Sequence, residues 1–324
     1  MNYKTLNKIA RLNSKHSCIF FLLVIFSIFL SKFFLVLDAS FLIIICFFLI
    51  ATVGVSHGSL DNYKGEKLLR KHKIKNKILF YFSYVFLACI VIILWRFLPS
   101  FSLLLFLIVA SYHFGKEDTE PFLFTAPDEI RRPFFKWNKK NYYFFTFLKG
   151  FLIISAPLFF HYEETKNIFK ILDSNFSLHD QVIITLFFLS IYSYIHFNFV
   201  LNARTYGSGA VMLDGSSILL LNYFFSPLIA FTLYFCFLHS VRHSISLIAT
   251  LDKKNLKKGT LKFLKKALPL TLATAILFIT SVYILSNYYV LNDAILKVIF
   301  IGLASLTFPH ILLEYLLEKN EKRS

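Results

Sequence analysis

Long apolar blocks without a single charged side chain dominate this sequence, and they fix its fold class. Phe41 to Val55, Ile78 to Leu94 and Leu268 to Leu285 are such blocks. A bilayer core takes about 20 apolar residues per helix, and backbone amides in hydrocarbon must find partners within their own segment. Runs of this length therefore read as membrane-spanning helices. Only 16% of the residues are charged, against about 25% in soluble globular domains. The expected architecture is an all-α polytopic transmembrane helix bundle, a single integral membrane domain over residues 1–324.

Ten spans fit the apolar pattern: 18–37, 40–56, 78–98, 101–114, 143–161, 181–201, 209–225, 227–250, 268–290 and 294–316. Residues 209–250 hold the one ambiguous break. Proline lacks an amide donor and disfavours helix just before itself, so the chain is divided at Ser226-Pro227; undivided, the count falls to nine. Lys and Arg concentrate in the N-terminal segment, in the stretch from Lys64 to Lys77 and in that from Lys253 to Lys266. An even number of crossings puts all three on the cytoplasmic side of the cell (inner) membrane, with both termini.

The net charge of +17 follows from those basic stretches. It implies affinity for anionic headgroups of the lipid bilayer, with no nucleic acid partner, since no motif for one appears. Cys18, Cys46, Cys89 and Cys236 lie in apolar runs without CxxC spacing and read as small buried hydrophobes. The run from Cys18 to Leu37 is too long for a cleavable signal and contains Lys32, so it reads as the first span.

Polar side chains are expensive inside a bilayer and mark function when present. His57 ends span two in Ser-His-Gly-Ser-Leu-Asp, and His113 ends span four in Ser-Tyr-His-Phe-Gly. His239 and His243 lie in span eight within His-Ser-Val-Arg-His, and His310 follows Pro309 in span ten. Four residues apart on a helix, His239 and His243 share a face, with Cβ atoms about 5–6 Å apart. His57 and His113 end spans that run toward the same side. Four imidazoles from three helices can thus meet at one depth, and imidazole suits Fe, Zn, Cu and Ni alike. The plainer alternative for any one of them is an interfacial histidine. That alternative is assigned to His16, His72, His161 and His179, and helix-to-helix hydrogen bonding to His196.

Taken together, the motifs resemble the Brp/Blh family of membrane β-carotene 15,15′-dioxygenases. His57-Gly-Ser-Leu-Asp61, Tyr112-His113-Phe114-Gly115, His239-Ser-Val-Arg-His243 and Pro309-His310 match in order, as does the segment Ala156 to His161 followed by two glutamates. One departure is Asn62, where family members often carry a second histidine. The resemblance implies cleavage of β-carotene by O2 at its central double bond, giving two all-trans-retinal. It also implies Fe(2+) held by His57, His113, His239 and His243, and an opsin as receiver of the retinal. Tyr112 and Phe114 are candidates to contact substrate. Carboxylates commonly orient metal-bound imidazoles: Asp61 lies four residues past His57, Asp118 five past His113 and Glu314 four past His310. Salt bridging to the basic stretches is the alternative for Asp61 and Asp118. His310 is expected to support the site, or to replace a ligand, and Asp214 is the candidate partner for Arg242.

Three rival readings stand beside this one. A di-iron desaturase needs about twice as many histidines, including HH pairs, and this chain has one HxxxH and no HH. A haem- or quinone-binding subunit would place axial histidines on facing helices. A non-catalytic relative would bind retinal or assist an opsin.

Overall fold

The computed structural model describes residues 3–32, 38–123, 139–201, 207–252 and 255–321, and among these there is helix and no strand. The helices are α1 (Tyr3–Ser31), α2 (Ala39–Leu49), α3 (Asp61–Lys71), α4 (Ile78–Phe97), α5 (Pro99–Glu117), α6 (Glu120–Leu123) and α7 (Lys139–Phe160). They continue with α8 (Tyr162–Ile171), α9 (Asp180–Leu201), α10 (Ser208–Phe224), α11 (Pro227–Leu233), α12 (Val241–Leu251), α13 (Leu256–Leu285) and α14 (Leu291–Glu321). The protein is an all-α polytopic bundle, and among the described residues eight helical segments are long and apolar enough to cross a membrane.

A helix stands at each of the ten predicted spans, but two fall short of crossing by length and composition. These are α5, which runs into Lys116 and Glu117, and α10, whose apolar part is Gly209–Phe224. The break at proline is present. Phe225 and Ser226 are extended, with ψ near 151° and 156°, and Pro227 opens α11.

Three boundaries differ from expectation, each for a local reason. The basic N-terminal stretch is helical, because Ile9, Ala10, Asn13, Ser17, Phe20 and Val24 form one buried stripe at helical spacing. Residues 33–37 of the predicted first span lie outside the described residues. The helix predicted from residue 268 begins instead at Leu256, where the Asn255 side chain accepts from the Lys258 amide at 3.1 Å, a standard N-cap. The stretch Tyr162 to Asp180, expected as a loop, contains α8, which buries Thr165 and Phe169.

Two segments depart from α-helix. Between α2 and α3 the chain forms a π turn, Ile50–Gly54, and then a 3₁₀ stretch, Val55–Leu60. Between α11 and α12 it forms a second π turn, Tyr234–Ser240. The two touch: Ser240 Oγ donates to the Gly54 carbonyl at 2.8 Å, and a Cβ on Gly54 would lie 2.6 Å from Phe235 Cε1. The Phe237 carbonyl in the wide turn accepts from His16 Nε2 at 2.8 Å, which gives His16 an inward role instead of the polar flank expected for it. Helices α5 and α7 also cross closely. A Cβ on Gly115 would meet the Thr146 carbonyl oxygen at 1.8 Å, and one on Gly150 would meet the Ser111 carbonyl oxygen at 1.8 Å. This crossing sets the depth at which α5 presents His113.

Candidate metal centre

Histidines and carboxylates from α3, α5, the second π turn, α12 and α14 meet inside the bundle. His113, His239, His243 and His310 are all buried. Ring centroids lie 5.4 Å apart for His113 and His239, 5.3 Å for His113 and His310, and 6.0 Å for His243 and His310. Imidazoles bound to one ion through nitrogen at about 2.0–2.1 Å place their centroids roughly 5–6 Å apart. The ligand atoms themselves fall into two groups that share Glu314, namely His113 with His310 and Glu117 with His243, and His239 belongs to neither.

Each of three rings is held by a carboxylate at Nδ1. His239 donates to Asp118 Oδ1 at 3.2 Å, His243 to Glu117 Oε2 at 2.8 Å, and His310 to Asp61 Oδ2 at 2.8 Å. A carboxylate accepting from Nδ1 fixes the tautomer whose coordinating lone pair is on Nε2. The carboxylates are fixed in turn: Tyr234 donates to Asp118 Oδ2 at 2.6 Å, and Tyr84 to Asp61 Oδ2 at 2.9 Å. Toward the inner side, His310 Nε2 and His243 Nε2 lie 3.6 Å and 3.9 Å from one oxygen, Glu314 Oε1. Ligand atoms of His113, His310 and Glu314 all fall within 4.8 Å of one another.

Charge points the same way. Asp61, Glu117, Asp118 and Glu314 surround the cluster; Lys64 lies 2.8 Å from Glu314, Arg242 and the buried Lys149 lie near Asp118, and Lys116 near Glu117. Arg242 is already committed to Asp214, through bonds of 2.7 Å and 3.0 Å. Buried carboxylates need compensating positive charge, and a divalent cation among neutral imidazoles supplies it. The residues present fit a metal ion.

Several predicted roles change. Asp61 accepts from His310 on α14, a pairing the local spacing did not point to; its relation to the His57 side chain lies outside the described residues. Asp118 serves His239 instead of His113, because α5 stops at Glu117. Glu314 faces Nε2 of His310 and not Nδ1. His310 lies within the ring cluster itself. His57 sits in the 3₁₀ stretch; its side chain lies outside the described residues. The adjoining backbone borders the cluster, since a Cβ on Gly58 would be 3.9 Å from His310 Nδ1. Asn62 takes no part: its Oδ1 accepts from the Tyr63 amide at 2.6 Å. Phe114 stacks edge-on to His239 at 4.7 Å, whereas Tyr112 faces Tyr143 at 6.0 Å. The expected Arg242–Asp214 pair is present. Glu117, Lys64, Tyr84 and Tyr234 were not foreseen. Of these Glu117 carried a signal, four residues past His113 at the end of an apolar run.

Apolar crevices flank the rings. One reaches His310 past Tyr84, Phe235, Thr271 and Leu306. Another reaches Phe114 between α5 and α7.

A model of the family described as beta-carotene 15,15′-dioxygenase matches residues 48–318. The chain belongs to this family. A relative from uncultured marine bacterium 66A03, described as beta-carotene 15,15′-dioxygenase, is 27% identical over 279 residues, covering 85% of this chain and 94% of the relative. No solved structure matches. The match to the beta-carotene 15,15′-dioxygenase family runs from α2 to α14 and so takes in every residue of the cluster.

Proposed function

We propose that this protein cleaves β-carotene at its central 15,15′ double bond with O2, giving two all-trans-retinal, as a non-haem Fe(II) dioxygenase. The observation that carries the reading is the convergence of buried imidazoles, anchored through Nδ1 by carboxylates, between apolar crevices in a membrane bundle. His57, His113, His239 and His243 hold the iron, with His310 beside them in the same cluster. Iron(II) when bound supplies the redox-active position at which O2 is activated.

The chain's own groups do the rest. Asp118, Glu117 and Asp61 hold three rings in one tautomer and one orientation, so Nε2 stays turned inward. Phe114 and Phe235 wall the cluster beside His239. These rings exclude water and offer an apolar surface to a polyene. A substrate dissolved in the bilayer reaches the rings through the crevices without crossing water. The distribution of basic stretches supports a reading with both termini in the cytoplasm and the protein in the cell (inner) membrane, with an opsin as receiver for the retinal released.

The test is expression in bacteria that accumulate β-carotene. Loss of orange colour with appearance of retinal is expected. Retained colour in cells that contain folded, iron-loaded protein would overturn the reading. Loss of iron and cleavage together is expected for His239→Ala and His243→Ala, while His179→Ala retains both.

A further inference from the structure

The Glu314 carboxylate is placed differently from every other acid around the cluster. Asp61, Glu117 and Asp118 approach rings from outside, at Nδ1. Glu314 Oε1 approaches from the side on which a metal binds, 3.6 Å from His310 Nε2 and 3.9 Å from His243 Nε2. Its ligand atom groups with those of His113 and His310, and also with those of Glu117 and His243. Only 14% of the side chain is exposed. A carboxylate so placed needs a cation, and the one in contact is Lys64, whose Nζ donates to the same Oε1 at 2.8 Å. Lys64 comes from α3 and is itself only 17% exposed.

Resting on the metal reading above, we propose that Glu314 is a carboxylate ligand of the centre and that Lys64 competes with the metal for its Oε1. Hard oxygen donors and imidazoles together suit iron(II). The competition gives the carboxylate two compensated positions. Bound to the metal, it completes the donor set. Turned to Lys64, it leaves one coordination position open without becoming an unpaired buried charge. A salt bridge that merely ties α3 to α14 has the same bond and predicts something different.

The two partners then have opposite effects on metal affinity, and that sign is the test. Purified full-length protein in detergent is titrated anaerobically with Fe(II), and with Co(II) as a probe whose visible bands report coordination number. For Glu314→Gln, affinity is expected to fall by more than the roughly 10–100-fold that loss of an outer orienting partner costs, and the Co(II) bands shift. For Lys64→Met, affinity is expected to rise several-fold, because the competing ammonium is gone. Near-UV circular dichroism and the melting temperature show whether each variant is folded. Unchanged Fe(II) affinity and Co(II) spectrum in folded Glu314→Gln would overturn the proposal, as would loss of affinity in both variants. A wild-type protein that binds neither metal overturns the metal reading itself, whereas a wild type that binds tightly beside an unaffected Glu314→Gln sinks only the ligand assignment.

Discussion

Replacing Arg242 by methionine isolates the energetics of the buried charge that braces the histidine helix. Arg242 and Asp214 are each 1% exposed. The guanidinium donates twice to Asp214, at 2.7 Å and 3.0 Å, once to Ser17 Oγ at 2.7 Å and once to the Asp118 carbonyl at 3.3 Å. It also lies over the Phe122 ring at 5.2 Å. Methionine keeps much of the volume and removes the charge, leaving buried Asp214 without its bidentate partner and with only the more distant Lys149 as a cation near it. Removal of one partner from a buried pair costs about 3–5 kcal/mol, a large share of a total stability on the order of 5–15 kcal/mol. Replacing both partners, as in Arg242→Met/Asp214→Leu, removes the orphaned charge. What remains are the partners lost by Ser17 and the Asp118 carbonyl, at about 1 kcal/mol each. The double variant is therefore expected to be more stable than Arg242→Met alone by about 1–3 kcal/mol. Chemical unfolding of the detergent-solubilised protein, followed by near-UV circular dichroism, measures all four corners of the cycle. A double variant as unstable as the sum of its singles would refute the reasoning.

Four further outcomes follow from the geometry. Asp118→Asn weakens the hold on both His239 and Tyr234, so metal affinity is expected to fall about 10–100-fold with the fold intact, as measured by metal titration beside circular dichroism. Gly150→Ala forces a Cβ to 1.8 Å from the Ser111 carbonyl and is expected to destabilise by about 1–3 kcal/mol or more. Gly209→Ala, with open space around it, is expected to be neutral or to stabilise by up to about 1 kcal/mol in the same unfolding assay. Gly302→Val drives into the Phe278 ring, which an added Cβ would already meet at 2.8 Å. Gly302 and Phe278 both line a cavity of ≈ 560 Å³, and this variant is expected to destabilise by about 1–3 kcal/mol in the same unfolding assay.

Most of the architecture was legible because its cause is local. Apolar block length announced the helices, and Pro227 announced the break that keeps α10 and α11 separate. Arg242 could be matched to Asp214 because a guanidinium buried in a span must find an acid. Helix ends in polar sequence were harder, since Leu256 to Lys266 is held by its Asn255 cap and by a narrow buried stripe through Gly259 and Phe263 set among lysines. The histidines were found from their position in apolar runs, but their orienting acids were not. Asp61 meets His310, 249 residues away in sequence, a pairing that no local spacing announces. Asp118 was misassigned because α5 ends before it. The π turn at Tyr234–Ser240 has no periodic signature, and what holds it open, His16 on α1, is 221 residues away in sequence.

The Nδ1 clamps on His239, His243 and His310 bear on the order in which the protein is built. The three side chains come from two separated parts of the chain, yet each is already restrained by an acid that is itself restrained or packed. On the metal reading proposed above, an ion arriving later would meet rings whose rotamers are chosen, and little ordering would remain to be done. Helix insertion and assembly can then run to completion in the membrane first, with metal loading as a separate and reversible event. Chelation should strip the centre while leaving the bundle standing, unlike small metal-folded domains that collapse when their ion is withdrawn.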